Sequence, residues 1–397
     1  MIVAGYLLEP PHPPMPGWLA IDQGRIVDRG EGLPASIDFG GPDHLITPGF
    51  VDAHLHIPQS DSTGYDGLEL LPWLEQVIYP AETAWHDLGI ASRQIDAVHR
   101  ELLTAGTVAY AGYLTSHGTG LHAMAESKTP RPRAIVGQVR MDRNGHPALI
   151  DQHPLPIPAD TADVRWSLNP RFAIACSDDS MAATASAMTD STFIQTHLSE
   201  SVTECDEIAR LFPDDPHYTA VYDRHGLLTP RTLLAHGLHL VPEEWSLIAE
   251  RDAVVVHCPT ANTFLSAGVF DLRSAMKHGV RLALGSDVAA GPEFDMPRIA
   301  RGMIEVAKIR RLTIDPDAIV PTPADAWTMI TRTNATALGH EDLGHLHIGG
   351  TARMLLLRPT FSLDEHVYSQ LIYRWSRRFI DCMLLDGEPY TFDSSSR

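Results

Sequence analysis

Between Pro48 and Leu338 the sequence alternates short apolar runs with longer amphipathic segments. This alternation is typical of βα repeats, in which helices connect the strands of a parallel sheet. Eight runs have the length and composition of buried strands: Gly49–His54, Thr107–Ala111, Ala134–Gln138, Arg165–Asn169, Phe193–His197, Thr232–Ala235, Ala253–His257 and Arg281–Gly285. Eight βα units predict an α/β fold, a closed (β/α)8 barrel similar to the TIM barrel.

The two ends of the chain carry short strand-like runs without intervening helical segments. These runs are Trp18–Ile21, Arg25–Val27, Ala352–Leu357 and Arg378–Leu385. The first two are separated by Asp22-Gln23-Gly24, which is typical of a hairpin turn. We therefore predict a small β-sandwich domain built from both termini. The expected boundaries are 1–47 for its N-terminal part, 48–338 for the barrel and 339–397 for its C-terminal part.

Charge and cysteine content exclude several classes of function. With 30 basic and 50 acidic side chains, the formal net charge is −20, which would repel phosphate backbones, so we expect no nucleic-acid polymer as a partner. Four scattered cysteines predict neither disulfides nor a thiolate zinc site. No apolar run is long enough for a membrane span, and Met1–Ala20 lacks a secretory pattern. We expect a cytoplasmic protein without a membrane partner.

Polar side chains stand where several predicted strands end. His54 and His56 are two residues apart and therefore face the same side of the first strand. His197, His236 and Asp287 follow the fifth, sixth and eighth strands. The C-terminal ends of barrel strands meet at one rim, so these side chains should converge. Imidazole and carboxylate suit zinc or ferrous iron with an open position for water, whose pKa the ion lowers to about 7.

Glu200 lies three residues beyond His197, just before a predicted helix that begins near Ser201. Ser201 and Glu204 have the spacing of a capping box. The carboxylate of Glu200 can reach the same rim without binding the metal, which is where a proton shuttle is needed. The alternative is a solvated carboxylate that is favoured only by the helix dipole.

Together these stretches resemble the amidohydrolase superfamily, and within it the branch that deaminates guanine. The matching stretches are Pro48–Gln59, Tyr79–Glu82, Met141–Asn144, Asn169–Phe172, Thr196–Glu200, Val221–Leu228, Ala235–Gly237, His257–Pro259 and Gly285–Asp287. The resemblance implies a barrel of the metal-dependent hydrolase type that holds one Zn²⁺, or Fe²⁺, and forms a homodimer. It implies the metal ligands His54, His56, His197 and Asp287, the catalytic residues Glu200, His236 and Asp287, and the purine-binding residues Gln59, Arg171 and Phe172.

The chemistry of the last three side chains fits a planar heterocycle. Arg171 and Gln59 offer hydrogen-bond donors to a carbonyl oxygen or ring nitrogen, and Phe172 offers an aromatic face. The alternatives are a surface ion pair for Arg171 and core packing for Phe172. Both residues follow an apolar strand that should face the barrel mouth, which favours the binding role.

The implied reaction is the hydrolysis of guanine to xanthine and ammonia. By resemblance, metal-bound hydroxide attacks the carbon that bears the amino group, Glu200 carries a proton to the adjacent ring nitrogen, His236 holds the hydroxide and Asp287 helps protonate the departing ammonia. Two alternatives remain open. The loop Pro292–Met296 departs from related sequences and favours a deaminase or chlorohydrolase acting on another azine, such as an oxidised purine, a pterin or a triazine. The other alternative is a non-catalytic protein that binds metal or purine.

The lysines predict one metal ion rather than two. Binuclear sites need an anionic bridge, often a modified lysine at a strand end, to separate the two dications. The chain has only Lys128, Lys277 and Lys308, and none ends a predicted strand. The fourth strand closes instead with Asn169-Pro170-Arg171, whose permanent positive charge opposes a second dication.

Four other histidines have the spacing or the strand-end position of the predicted metal ligands, or lie close to one of them in sequence. His345 and His347 repeat the spacing of the first pair, but glycines surround them and no apolar strand precedes them, so we expect no metal there. His239 is expected on a helix or loop. His257 closes the seventh strand, and we expect it to line the rim without binding metal.

Overall fold

A computed structural model describes residues 1–150 and 153–390. Its strands are β1 (Ile2–Leu7), β2 (Met15–Asp22), β3 (Arg25–Glu31), β4 (Phe39–Pro48), β5 (Phe50–His56), β6 (Thr107–Tyr113), β7 (Arg133–Gly137), β8 (Val139–Arg140), β9 (Val164–Pro170), β10 (Phe193–Leu198), β11 (Thr232–His236), β12 (Val254–His257), β13 (Arg281–Leu284), β14 (Met354–Leu357), β15 (Ile380–Leu385) and β16 (Glu388–Tyr390).

The α-helices are α1 (Leu70–Trp73), α2 (Tyr79–Thr83), α3 (Leu88–Thr104), α4 (Gly118–Glu126), α5 (Asp178–Ser186), α6 (Val202–Leu211), α7 (Tyr218–Arg224), α8 (Pro242–Glu250), α9 (Pro259–Phe264), α10 (Leu272–His278), α11 (Met296–Thr313), α12 (Pro323–Thr328), α13 (Asn334–Ala337) and α14 (Val367–Arg374). Shorter turns of 3-10 helix span Ile57–Ser62, Ala84–His86 and Arg377–Phe379, and π-helical turns span Leu74–Ile78 and Met329–Thr333. None of the described helices is both long and apolar enough to cross a bilayer.

The eight predicted barrel strands are confirmed as one parallel sheet. Its order is β5-β6-β7-β9-β10-β11-β12-β13, so each strand lies beside its neighbour in sequence, and the two-residue strand β8 pairs with β9. Strands β5 and β6 are buried along their whole length, as expected where helices cover the sheet. The predicted fold class, a (β/α)8 barrel with an appended β domain, is confirmed.

The side chain of Asn334 closes the barrel between its first and last strands. Its amide nitrogen donates to the carbonyls of Val51 (2.6 Å) and Leu284 (2.8 Å), and its amide oxygen accepts from the backbone N–H of Leu284. Towards the C-terminal rim, the N–H of Asp287 donates to the carbonyl of His54 at 2.8 Å. This seam, the contact between β5 and β13 that closes the barrel, therefore places Asp287 directly beside His54.

The β domain is one seven-stranded sheet with the order β16-β15-β14-β4-β1-β2-β3, drawn from both ends of the chain as predicted. Both of its tight turns, Gln23-Gly24 and Asp386-Gly387, have the positive φ angles of a two-residue hairpin. The sheet curls so that these turns touch, since a Cβ on Gly24 would lie 2.7 Å from the carbonyl oxygen of Asp386. The predicted small sandwich is therefore formed by one continuous, curled sheet.

The predicted helix near Ser201 is confirmed. Helix α6 begins with a complete capping box between Ser201 and Glu204, and α11 follows the last barrel strand. Helix α14 packs against α11 and α12, so the C-terminal segment also contributes to the outer layer of the barrel. The domain boundaries stay predictions, and residues 391–397 of the predicted C-terminal part lie outside the described residues.

Candidate active site

Four predicted metal ligands converge at the C-terminal rim of the barrel. The ligand atoms of His54, His56, His197 and Asp287 all lie within 4.8 Å of one another, and all four residues are buried. Asp287 Oδ1 lies 3.2 Å from His54 Nε2 and 3.4 Å from His56 Nε2. His56 Nε2 lies 3.1 Å from His197 Nε2. Strands β5, β10 and the end of β13 thus bring together side chains that are far apart in sequence.

The protonation of this cluster suits a metal ion. Burial lowers the pKa of His56 to about 4, and burial together with the neighbouring imidazoles lowers that of His197 well below its usual range. Burial opposes ionisation of Asp287, but His54 and His56 hold its pKa well below the usual value. His54 Nε2 is buried without a hydrogen-bond partner among the described residues. Neutral imidazoles and a carboxylate that converge in this way are the donor set of zinc or ferrous iron, so the residues fit the implied ion.

Strained backbone accompanies the site. Ser199, His236 and Asp287 are non-glycine residues with φ of +48°, +76° and +51°, and each follows or ends a barrel strand. Such conformations cost free energy and persist only where the surrounding structure enforces them. Gly285 lies against the first histidine of the cluster, because a Cβ there would lie 2.7 Å from the Cβ of His54. Only glycine allows Asp287 to follow so close to the first histidine ligand.

Glu200 and His236 face each other beside the ligand cluster. His236 Nε2 lies 3.4 Å from Glu200 Oε2 and 3.9 Å from Asp287 Oδ2, and its Nδ1 is held at 2.8 Å by the side-chain oxygen of Asn262. Burial and the nearby carboxylates of Asp287 and Glu204 raise the pKa of Glu200 well above its usual value. A carboxylate with raised proton affinity, set beside the cluster, is suited to take up and release a proton.

The predicted purine-binding residues line the same cavity as the ligands. The empty space of the cavity, including the part that is open to solvent, is about 380 Å³, and its wall includes Gln59, Arg171 and Phe172 together with Glu200 and His236. Apolar side chains complete it: Leu70, Trp73, Leu74, Leu265 and Ala290. A small apolar cavity with a few convergent polar groups is the usual form of a small-molecule site.

Glu82 binds two of the predicted purine-binding residues, and the sequence alone predicts no role for it. Its carboxylate accepts from Gln59 Nε2 at 2.8 Å and from Arg171 Nη1 at 2.6 Å. The sequence predicts donors to the ligand from both side chains, whereas in the structure the Gln59 amide nitrogen is engaged by Glu82. Sequence reasoning also missed Trp73 in the cavity wall and Asn262 behind His236. Only Glu82 left a signal, because it stands in the Tyr79–Glu82 stretch that supports the resemblance.

The other histidines singled out from the sequence contact residues outside the ligand cluster. His345 and His347 stack on each other and are absent from the metal-binding groupings found among the described residues. His239 lies in the loop before α8 and bonds the carbonyl of Ala267, while His257 stacks on Phe270. Cys258 lies near His236 and Asp287, but burial raises the pKa of its thiol well above the usual value, so it is a poor metal ligand.

The positions of the three lysines and of Arg171 bear on the expected number of metal ions. Lys128 is exposed before β7, and Lys277 and Lys308 lie on α10 and α11. All three are therefore away from the C-terminal ends of the barrel strands. Arg171, just past β9, is buried in the cavity wall.

Known proteins resemble this chain in sequence and in fold. Residues 45–389 match the family model described as the amidohydrolase family. The guanine deaminase of Escherichia coli (strain K12) is 31% identical over 366 residues, covering 87% of this chain and 81% of that protein. The crystal structure of guanine deaminase from C. acetobutylicum with bound guanine in the active site superposes with a TM-score of 0.88 at 24% identity, covering 98% of this chain and 99% of the other. The structure of E. coli guanine deaminase gives a TM-score of 0.84 at 26% identity, with 98% and 99% covered.

Proposed function

The chain belongs to the amidohydrolase family, and we propose that it is a metal-dependent hydrolase of C–N bonds that converts guanine and water to xanthine and ammonia. One observation carries this proposal: the cluster of three histidines and Asp287 opens into the same buried cavity as Glu200, His236 and the predicted purine-binding side chains. The similarity of the chain to guanine deaminases over most of its length supports guanine as the substrate.

We propose one zinc or ferrous ion, held by His54, His56, His197 and Asp287. When bound, the ion acts as a Lewis acid and lowers the pKa of water, which makes a nucleophile available near neutral pH. Two features support a single ion. The three lysines lie away from the strand ends, and the guanidinium of Arg171, beside the cluster, opposes a second dication.

Glu200 and His236 handle the protons of the reaction. Glu200 takes a proton from the attacking water and passes it to the ring nitrogen beside the carbon that bears the amino group. His236, held at Nδ1 by Asn262, keeps Nε2 directed at the same point and stabilises the tetrahedral intermediate. Asp287, 3.9 Å from His236, helps to deliver the last proton to the departing ammonia.

Arg171, Gln59 and Phe172 hold the purine. Phe172 lines the cavity and lies edge-on to His197, with ring centroids 6.5 Å apart. Its ring is thus placed to pack against a planar base near the ligands. Arg171 and Gln59 supply polar contacts in the same cavity.

We also propose that the enzyme acts in purine catabolism in the cytoplasm, as a homodimer. The resemblance to its family and the absence of a membrane-spanning pattern in the sequence support this proposal. Equilibrium sedimentation of the purified protein tests the oligomeric state.

Incubation of the purified metal-loaded protein with guanine tests the proposed reaction. Xanthine, followed by absorbance, and ammonia, followed by a coupled assay, should form in equal amounts, and Asp287→Ala should form neither. If the protein turned over an aminated or chlorinated azine but not guanine, that azine would be the substrate instead of guanine. Tight binding of guanine without any turnover would mean that the protein only binds it.

A further inference from the structure

Glu82 joins two side chains of the cavity wall through one buried carboxylate. It lies on α2 and is 1% exposed. Oε1 accepts from Gln59 and Oε2 from Arg171, so each oxygen serves one partner. Gln59 and Arg171 are themselves only 2% exposed. A buried carboxylate that is satisfied by an arginine and an amide holds both partners in a defined geometry.

This arrangement determines which end of the Gln59 amide faces the cavity. A carboxylate paired with a guanidinium can only accept hydrogen bonds, so the amide nitrogen of Gln59 must point towards Glu82. The carbonyl oxygen Oε1 lies on the opposite side of the amide group. Gln59 makes no other side-chain hydrogen bond to the described residues, and it lines the cavity. The amide therefore presents an acceptor to a ligand.

Arg171 presents the complementary donors. Only its Nη1 is engaged by another side chain in the described part of the protein, and its guanidinium lies 5.3 Å from the ring centroid of Tyr79. The guanidinium carries five N–H groups in a rigid fork, so Nε and Nη2 remain for a ligand. A donor and an acceptor thus stand side by side, both held by Glu82.

We propose that Glu82 is a positioning residue that sets substrate specificity by presenting Arg171 as donor and Gln59 Oε1 as acceptor to a purine edge with a carbonyl oxygen beside a ring N–H. This inference rests on the proposed function and adds a residue that orients the side chains with which the site would bind a 6-oxopurine such as guanine. A 6-aminopurine would place its amino donors against the donors of Arg171. Such a mismatch leaves buried polar groups unpaired and is strongly disfavoured.

Binding of two purines that lack the reacting amino group tests this inference apart from turnover. Hypoxanthine keeps the carbonyl and its neighbouring N–H groups, whereas purine lacks the carbonyl. Isothermal titration of the holoenzyme should give a clear preference for hypoxanthine over purine. Glu82→Gln, which can donate to Gln59 and release its amide, should reduce that preference about tenfold or more. Glu75→Gln, an exposed glutamate seven residues earlier, is the matched control and should keep the preference.

A second variant separates positioning from a general effect on folding. Gln59→Met removes the acceptor while leaving the Glu82–Arg171 ion pair, so it should also reduce the preference, with an unchanged melting temperature. An unchanged hypoxanthine-to-purine ratio in both variants would overturn the inference, as would an equal loss of both ligands in Glu82→Gln. If wild-type protein shows the preference but does not turn over guanine, the proposed function fails while the role of Glu82 stands.

Discussion

The backbone carbonyl of Arg171 accepts a hydrogen bond from Nδ1 of His197 at 2.6 Å. Since a carbonyl can only accept, the proton of this imidazole resides on Nδ1, and Nε2 keeps a lone pair directed at the ligand cluster. The side chain of Arg171 lines the cavity. One residue just past β9 therefore orients a proposed metal ligand with its backbone and lines the proposed substrate cavity with its guanidinium.

The separate contacts made by the backbone and the side chain of Arg171 predict the behaviour of Arg171→Met. The substitution keeps the carbonyl that holds His197, so metal content should stay at the wild-type level. It removes the donors that face the substrate, so the KM for guanine should rise about tenfold or more, with a smaller rise for 2-aminopurine, which lacks the oxygen. Equal losses for both substrates, or loss of the metal, would contradict the assignment.

Glu200→Gln should separate proton transfer from binding. The amide keeps the size and polarity of the carboxylate but cannot take up a proton, so kcat should fall about 10²-fold or more while metal content and affinity for hypoxanthine stay near wild type. Glu250→Gln, at the exposed end of α8, is the control for loss of a glutamate charge. Near-native turnover in Glu200→Gln would assign the proton shuttle to another group.

Much of this architecture is predictable from local patterns. Each barrel strand is a short apolar run, and the turns at Gln23-Gly24 and Asp386-Gly387 carry residues that accept positive φ. The convergence of His54, His56, His197 and Asp287 could be predicted because the ends of parallel strands meet at one rim, so polar residues that end such strands lie close together. His-x-His and the terminal Asp287 needed no knowledge of how the helices pack.

The residues that could not be predicted act through distant contacts. Glu82 lies on a five-residue helix, and it contacts Arg171, which lies 89 positions later in the sequence. Asn334 satisfies the carbonyl of Val51 across 283 positions. Apart from the resemblance carried by Tyr79–Glu82, no local pattern separates these polar residues from solvated ones, because closure of the barrel brings their partners to them.

Gly285→Ala should damage the metal centre through backbone contact. The new Cβ would lie 2.7 Å from the Cβ of His54 and 3.0 Å from its backbone nitrogen, so the seam between β5 and β13 must open. We expect a loss of about 1–3 kcal/mol in the free energy of unfolding and a lower metal content. Gly89→Ala, in α3, is the control, since its neighbours are flexible side chains. Full metal content in Gly285→Ala would contradict the proposed close approach.

His99 should make the fold sensitive to acid. Burial lowers its pKa to about 3, whereas in the unfolded chain it is about 6.5. Between these values the unfolded chain binds a proton that the folded protein does not, so stability is fully present above pH 6.5 and falls as the pH drops. At pH 5.5 this linkage lowers the free energy of unfolding by about 1 kcal/mol.

The variant His99→Gln tests this linkage, because it keeps a partner for Tyr110 and removes the titration. The drop in unfolding free energy between pH 7.5 and 5.5, measured by urea denaturation, should be smaller in this variant. His122→Gln, at an exposed site on α4, should retain the wild-type drop. An unchanged drop in His99→Gln would mean that other groups dominate the acid response.

Titration of metal-depleted protein with zinc, while the conversion of guanine to xanthine is followed, tests the central claim most directly. Activity should be absent before addition, rise in proportion to bound zinc and reach its maximum at one ion per chain. His54→Ala, which removes one ligand, should need far more zinc for any activity. Full activity without metal, a maximum only at two tightly bound ions, or no xanthine at any zinc concentration would contradict a guanine deaminase with one catalytic ion.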